Sequence, residues 1–109
     1  MRKAFAFAIC GLLASAGIAV AQDTVDESLS AFVTRCRTAQ AECMSDLSNG
    51  FLAARGMKTI CPPAALSADD AARREMAWLH NAAANAALAQ GKEIDAEWKA
   101  LHTLWPCPH

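Results

Sequence analysis

The sequence predicts an all-α protein, a small disulfide-stapled four-helix bundle preceded by a cleaved signal peptide. Three observations predict it: an apolar N-terminal segment that ends in small residues, four cysteines after that segment, and apolar side chains at helical spacing. No stretch alternates polar and apolar residues for long enough to predict a strand. A chain of this length forms one domain, which we assign to residues 22–109.

The first 21 residues have the organisation of a secretory signal peptide. Arg2 and Lys3 give a basic start, an apolar run follows over 4–20, and Ala19 and Ala21 supply the small side chains that signal peptidase requires. A membrane anchor is the alternative, but an apolar run of about 17 residues is at the lower limit for a span. We therefore predict cleavage after Ala21, export to the periplasm, and a mature chain without a membrane segment.

Two helices are predicted before the first proline of the mature chain. The first begins near Thr24, because Thr24 and Glu27 have the spacing of a capping box. Its apolar residues recur at helical spacing and are Leu29, Phe32, Val33 and Cys36. The second helix carries an apolar face made of Cys43, Leu47, Phe51 and Ala54. Gly56 is placed to end this helix as a C-terminal cap.

Two further helices follow a rigid Pro62-Pro63 turn. Ser67 and Asp70 cap the third helix, and Gly91 stops or bends it. Its buried stripe is predicted to consist of Ala72, Met76, Leu79, Ala83 and Ala86. The fourth helix runs from about residue 93 to residue 104. One side of it carries Ile94, Trp98, Leu101 and Trp105.

The four cysteines of the mature chain are predicted to form two disulfides, because an even number in a small exported chain is typical of a disulfide framework. If the last two helices pack antiparallel, Cys61 lies beside Cys107, which leaves Cys36 to pair with Cys43. Local propensity permits a single helix over about 26–55. Residues seven apart on a straight helix are about 10.5 Å apart, beyond the reach of a disulfide, so a Cys36–Cys43 bond would require a break between two helices. The crossed pairing, Cys36–Cys107 with Cys43–Cys61, has a similar loop-closure entropy and stays open.

Nothing in the sequence predicts an enzyme, a cofactor or a metal site. No serine lies in a nucleophile-elbow motif, and neither a C-x-x-C nor a paired histidine spacing occurs. His80 and His102 would form a dyad or a metal site if they faced each other, but solvated helix histidines are the simpler interpretation. We expect Trp98 and Trp105 in the core, and Trp78, which lies off its helix stripe, partly exposed at an interface.

Charge argues against nucleic acid as a partner. Without Arg2 and Lys3, the mature chain has 8 basic and 11 acidic side chains, a net charge of −3. No basic patch with interleaved aromatic residues is present.

Three segments resemble the Rap/Tai family of periplasmic immunity proteins, which neutralise peptidoglycan-amidase effectors of type VI secretion systems. They are Cys43-Met-Ser-Asp-Leu-Ser-Asn-Gly, Ile60-Cys61-Pro62-Pro63 and Leu104-Trp105-Pro106-Cys107, within a resemblance that spans about residues 27–107. The resemblance implies a small disulfide-bonded α-bundle that blocks a secreted amidase by occupying its active-site cleft, without catalysis. It also implies that a homodimer is one state to expect.

The inhibitory surface is not part of the matching segments. From the residues alone, the loops marked by Gly56 and Gly91 are the natural candidates. The candidate partner-binding residues are Arg55, Lys58, Trp78 and Lys92. The alternative function is a general periplasmic binding, stress or envelope-assembly protein with no toxin partner.

Overall fold

The computed structural model describes residues 27–108, so that the predicted signal peptide and Thr24 lie outside the described residues. Within 27–108 the fold is all-α, as predicted, and its only β-type pairing is an isolated antiparallel bridge between Ser28 and Lys92. The helices are α1 (Leu29–Cys36), α2 (Gln40–Gly56), α3 (Ala68–Ala83), α4 (Ala86–Ala89) and α5 (Glu93–Leu104). Four helices of two turns or more therefore form the bundle, and α4 adds a single turn.

The start of α1 differs from the prediction. The helix begins at Leu29, and the Ser28 hydroxyl caps it by accepting a hydrogen bond from the N–H of Ala31 at 3.1 Å. Glu27 lies outside the helix, because its backbone pairs with the chain before α5: the N–H of Glu93 donates to the Glu27 carbonyl at 2.8 Å. The predicted start near Thr24 is therefore wrong, since this pairing keeps residue 27 from continuing the helix.

The end of α2 also differs from the prediction. Gly56 is its last helical residue, and the left-handed residue that ends the helix is Lys58, with φ 62°. The N–H of Lys58 donates to the carbonyl of Arg55 at 3.1 Å. The N–H of Thr59 donates to the carbonyl of Ala54, also at 3.1 Å. These two bonds form a Schellman motif, which satisfies the last carbonyls of α2 although a lysine occupies the position that favours glycine.

The predicted third helix is shorter than expected. It ends at Ala83, and the backbone is extended at Asn85. The Asn85 side chain accepts hydrogen bonds from the N–H groups of Ala87 and Leu88 at 3.0 and 3.3 Å, and thereby starts the one-turn helix α4. Ala86, predicted to be buried, is exposed because this break turns it away from the core. The cap at Ser67 is confirmed, with its hydroxyl 3.1 Å from the N–H of Asp70.

The core is divided into two clusters that meet along α3 and α5. One contains the buried residues of α1 with Cys43, Leu47, Ala72, Leu79, Ala82, Ala96 and Ala100. The other contains Phe51, Ala54, Ile60, Ala71, Leu101 and Trp105. Six of the 17 buried apolar residues in the described part of the chain are alanines. The core is therefore thin, because each alanine buries less apolar area than a leucine would.

The prediction of which α5 residues are buried is correct for only two of the four. Leu101 and Trp105 are buried, and the Trp105 ring meets the ring of Phe51 edge-on at 5.1 Å. Ile94 and Trp98 are instead 43% and 38% exposed, so the prediction that Trp98 lies in the core is wrong. The face that α5 buries is made of Ala96, Glu97, Ala100 and Leu101. Its two alanines allow a close helix approach that the Trp98 ring would prevent.

Both disulfides of the preferred pairing are present, and the crossed pairing is excluded. Cys36–Cys43 joins α1 to α2 with a Cα–Cα distance of 5.7 Å, across the predicted break between these helices. Cys61–Cys107 joins the chain before α3 to the chain after α5 at 4.9 Å, as expected if these helices are antiparallel. Such bonds are compatible with an oxidising compartment outside the cytoplasm. Among residues 27–108, no helix has the length and apolar character needed to cross a membrane.

Removing each disulfide separately tests how much each one contributes to the free energy of unfolding. Cys61–Cys107 closes the longer loop, with a sequence separation of 46 against 7 for Cys36–Cys43. We expect Cys61→Ser with Cys107→Ser to lower the free energy of unfolding by about 4 kcal/mol, and Cys36→Ser with Cys43→Ser by about 2.5 kcal/mol. Urea unfolding of both double variants measures the difference. A larger loss for the Cys36/Cys43 variant would contradict the chain-entropy explanation.

Candidate functional site

Two glutamate side chains are buried in the interior of the bundle. Glu75 of α3 is 0% exposed and Glu97 of α5 is 8% exposed. Among the described residues, neither carboxyl oxygen of Glu75 has a hydrogen-bond partner, and Oε2 of Glu97 also has none. Buried carboxyl groups are rare unless they are paired, so this pair is the most unusual chemical feature of the molecule.

Small residues make room for both carboxyl groups. Ala71 and Ala72 lie one turn before Glu75 on the buried face of α3. Glu97 lies against α2 at Gly50, where an added Cβ would be 2.5 Å from Oε2 of Glu97. A glycine in the interior of a helix costs about 1 kcal/mol relative to alanine. The Glu97 carboxyl group explains why this position of α2 has no side chain.

Glu97 also lines a cleft of about 260 Å³ between α1, α2 and α5. We call it the acidic cleft, and its lining residues are Glu27, Phe32, Arg35, Asp46, Glu93, Ile94 and Glu97. Arg35 is already engaged by Glu27 through two hydrogen bonds of 2.9 and 3.0 Å. The other three acidic residues of the cleft form no ion pair within residues 27–108. The acidic cleft therefore brings four carboxyl groups and one guanidinium group together beside the apolar surfaces of Phe32 and Ile94.

The interior position of these carboxyls changes their acidity. Burial, followed by repulsion from Glu97 and Glu93, raises the pKa of Glu75 to about 8. Burial, followed by repulsion from Glu93 and Asp46, likewise raises the pKa of Glu97 to about 8. Burial and the charges of Glu27 and Asp46 raise the pKa of Glu93 to about 7, although Arg35 opposes this shift. These groups therefore exchange protons near neutral pH.

The cleft offers carboxyl oxygens to a cationic group more readily than to a metal ion. Within the described part of the chain, no group of three or more His, Cys, Asp or Glu side chains has the geometry to hold a metal. A neutral Glu97 can donate one hydrogen bond, whereas an ionised Glu97 can only accept. The arrangement can thus bind a positively charged side chain and release a proton as it does so.

The structure does not bring the predicted partner-binding residues together. Arg55 and Lys58 are exposed at the end of α2. Cys61, which follows shortly after them, donates its N–H to the Trp105 carbonyl, so this end of α2 lies near the C-terminal end of α5. Lys92 is exposed at the opposite end of α5, where it pairs with Ser28. Trp78 is half-buried and packs against the first core cluster.

The two helix histidines do not meet. His80 is exposed beside Cys36 and Gln40, at the end of the bundle where the shorter disulfide lies. His102 stacks on Trp98 with ring centroids 5.7 Å apart, and its Nδ1–H donates to the Trp98 carbonyl at 2.8 Å. A dyad or metal site made of these histidines is therefore ruled out by their positions on different parts of the surface.

A larger groove, of about 830 Å³, runs between the start of α2 and α3. Thr38, Met44, Arg73 and His80 are among its lining residues. Arg73 already pairs with Asp70 at 2.8 Å. The described side chains of this groove include no buried polar atom without a partner. The acidic cleft is therefore the stronger candidate for a site.

Glu75, Glu97 and Gly50 were not predicted as site residues, although each position has a signal in the sequence. Glu75 lies one turn from Ala72 and Leu79, within the arc of α3 that the apolar spacing predicts to be buried. Glu97 lies next to Trp98, at the edge of the face of α5 that the apolar spacing predicts to be buried. An isolated glycine inside a helical pattern such as α2 also indicates a close approach by another group.

No protein-family model matches the chain, and comparison with curated proteins and with solved structures gives no match either.

Stability should depend on pH with a sign set by the two buried glutamates. Their folded-state pKa is raised from 4.5 to about 8, so their contribution is fully present below about pH 4.5 and is lost as the pH rises through 8. For each of these two carboxyls, we expect the free energy of unfolding to fall by an amount on the order of 3 kcal/mol between pH 5 and pH 8. Urea unfolding across this range, with Glu75→Gln, measures the effect.

The matched control for this experiment is Asp95→Asn, which removes an exposed carboxyl from α5. Glu75→Gln should remove about half of the pH dependence, because Glu97 still titrates, and Asp95→Asn should leave all of it in place. An equal slope in both variants would show that Glu75 is not one of its sources.

Substitution by alanine should have opposite effects on stability at the two glycines of α2. Gly56→Ala adds a Cβ that meets nothing within 4 Å, so we expect a gain of about 0.5–1 kcal/mol from helix propensity. Gly50→Ala pushes the Glu97 carboxyl out of its position, and we expect a loss of about 1–2 kcal/mol at pH 6. Thermal unfolding of both variants tests this. Equal stabilisation by the two substitutions would show that Glu97 does not depend on Gly50.

Proposed function

We propose that the protein is a periplasmic immunity protein that binds and occludes a peptidoglycan-amidase toxin of a type VI secretion system. It acts by binding and carries out no reaction of its own. The resemblance of its three cysteine-containing segments to the Rap/Tai family supports the proposal. The two disulfides support the periplasm as the site of action, because this compartment is oxidising.

The observation that carries a binding function is the exposed aromatic surface of α5. Trp98 and Ile94 are 38% and 43% exposed, although the core of this small protein contains many alanines. Exposed tryptophans that protrude from a rigid element are frequent anchors of protein interfaces. His102 stacks on the Trp98 ring and donates to its carbonyl, so that the ring is held in position before a partner arrives.

The rigidity of the bundle also suits occlusion. α5 is held at its start by the pairing of residues 27–29 with residues 91–93, and just after its end by the Cys61–Cys107 disulfide. A surface on a helix fixed at both ends loses little conformational entropy when a partner binds. This favours a tight inhibitor over an adaptable chaperone.

Co-expression tests the proposal. The full chain is produced together with each amidase encoded by a neighbouring gene and exported to the periplasm, and cell lysis is scored. We expect the wild-type chain to prevent lysis by one such amidase. We expect Trp98→Ala to weaken binding of that amidase by a factor of about 30, the effect of losing an anchor worth about 2 kcal/mol.

The matched control is Leu52→Ala, which truncates another exposed apolar side chain, 42% exposed on α2. Leu52→Ala should protect as the wild type does. If the wild-type chain protects against none of the amidases, the immunity function is wrong, and a general periplasmic binding or envelope-assembly role takes its place. If both variants bind as tightly as the wild type, the partner surface is not on α5.

A further inference from the structure

We infer that the acidic cleft binds a lysine side chain of the protein partner, and that this contact adds charge recognition to the aromatic surface of α5. The inference deepens the proposed function, because it states which chemical group of the partner meets this protein. Ile94 connects the two surfaces, because it lines the acidic cleft and is exposed beside Trp98 on α5.

The dimensions and lining of the cleft fit a long side chain with a charged end. Its volume of about 260 Å³ is too small for a folded segment and sufficient for one side chain. Phe32 and Ile94 offer apolar surface to an aliphatic stem. Asp46, Glu93 and Glu97 offer carboxyl oxygens to the charged end. Lysine has this division between an apolar stem and a compact cation.

The charges of the cleft favour an ammonium group over a guanidinium group. A guanidinium group of the partner would need two carboxylate oxygens in one plane. Glu27 has such a pair, but both of its oxygens already accept hydrogen bonds from Arg35. The remaining carboxyls come from different positions, Asp46 on α2 and Glu93 and Glu97 one turn apart on α5. An ammonium group has three donors that can reach separate acceptors, whereas a guanidinium requires acceptors in one plane.

Glu97 provides an independent observation that points to a cationic ligand. Its side chain is more than nine-tenths buried, it lines the cleft, and its Oε2 has no hydrogen-bond partner among residues 27–108. An unpaired buried acceptor of this kind costs about 1–3 kcal/mol, or more when it is charged. A cation in the cleft beside this carboxylate stabilises its negative charge, which both oxygens share, and so lowers that cost.

Binding should be coupled to proton release. Titratable and charged groups face Glu97 from every surrounding element. They are Glu27 just before α1, Arg35 on α1, Asp46 on α2, Glu75 on α3 and Glu93 on α5. Because burial raises the pKa of Glu97 to about 8, a cation must compete with a proton below that pH. We expect the association constant to rise about tenfold between pH 6 and pH 8.

The experiment uses the full mature chain and two small probes in phosphate buffer, which contains no competing amine. The first probe is N-acetyl-lysine methylamide, and the second is N-acetyl-norleucine methylamide, which has the same aliphatic stem without the amine. Shifts of the Gly50 amide and Trp98 indole signals in ¹H–¹⁵N spectra report binding. We expect a dissociation constant in the millimolar range for the lysine probe and binding at least tenfold weaker for the norleucine probe.

Three variants locate the site. Glu97→Gln and Asp46→Asn should each weaken binding of the lysine probe by about tenfold, and Asp95→Asn, an equal charge loss elsewhere on α5, should change it by less than twofold. Asp46 is exposed, so its variant tests the cleft without a change in the core. Equal binding of the two probes, or equal effects of Asp46→Asn and Asp95→Asn, would overturn the inference.

The co-expression assay separates this inference from the proposed function. If the lysine probe binds as expected but the wild-type chain protects against no amidase, the cleft is a lysine site and the immunity function is wrong. If the chain protects and the probes bind equally, the immunity function stands and the lysine site is wrong. In the expected case, Asp46→Asn weakens both probe binding and amidase binding.

Discussion

The position of α5 is the constraint on which the rest of this molecule depends. Its N-terminal end, residues 91–93, is tied to residues 27–29 by backbone hydrogen bonds of 2.8 and 2.9 Å, and the segment after its last turn is tied to the chain before α3 by Cys61–Cys107. Attachment at both ends restricts the rotation of this 12-residue helix. The fixed rotation buries Glu97 and leaves Trp98 exposed, although a rotation of one residue would do the reverse. Covalent and backbone constraints thus maintain an arrangement that side-chain hydrophobicity alone would not select.

The alanines of the core explain how buried carboxyls can be accommodated. Alanine removes volume without adding a competing polar group, so that α2, α3 and α5 approach closely and leave narrow spaces that Glu75 and Glu97 fill. The stability lost through these acids is offset elsewhere, most directly by the two disulfides. The candidate site and the covalent crosslinks therefore occupy different parts of the same small bundle.

The fold could be predicted from the sequence to the level of helices and disulfides, whereas the candidate site could not. Leu29, Phe32, Leu47 and Phe51 are buried as their spacing predicts, because large apolar residues at helical spacing leave few alternatives. The face of α5 was predicted wrongly because its largest apolar residues were assumed to point inward. Glu75 and Glu97 were not predicted as core residues for a related reason, since spacing rules assign carboxylates to the surface, whereas the structure buries both. The start of α1 and the end of α3 depend on hydrogen bonds of Glu27 and Asn85 that periodicity does not detect.

The order of the cysteines along the chain has a consequence for biosynthesis. Each half-cystine bonds to the next one in sequence, the first pair being Cys36–Cys43 and the second Cys61–Cys107. A polypeptide that enters an oxidising compartment N-terminus first can close these bonds in the order in which the thiols emerge. Oxidation in that order would give the native connectivity without the rearrangement of a mispaired bond.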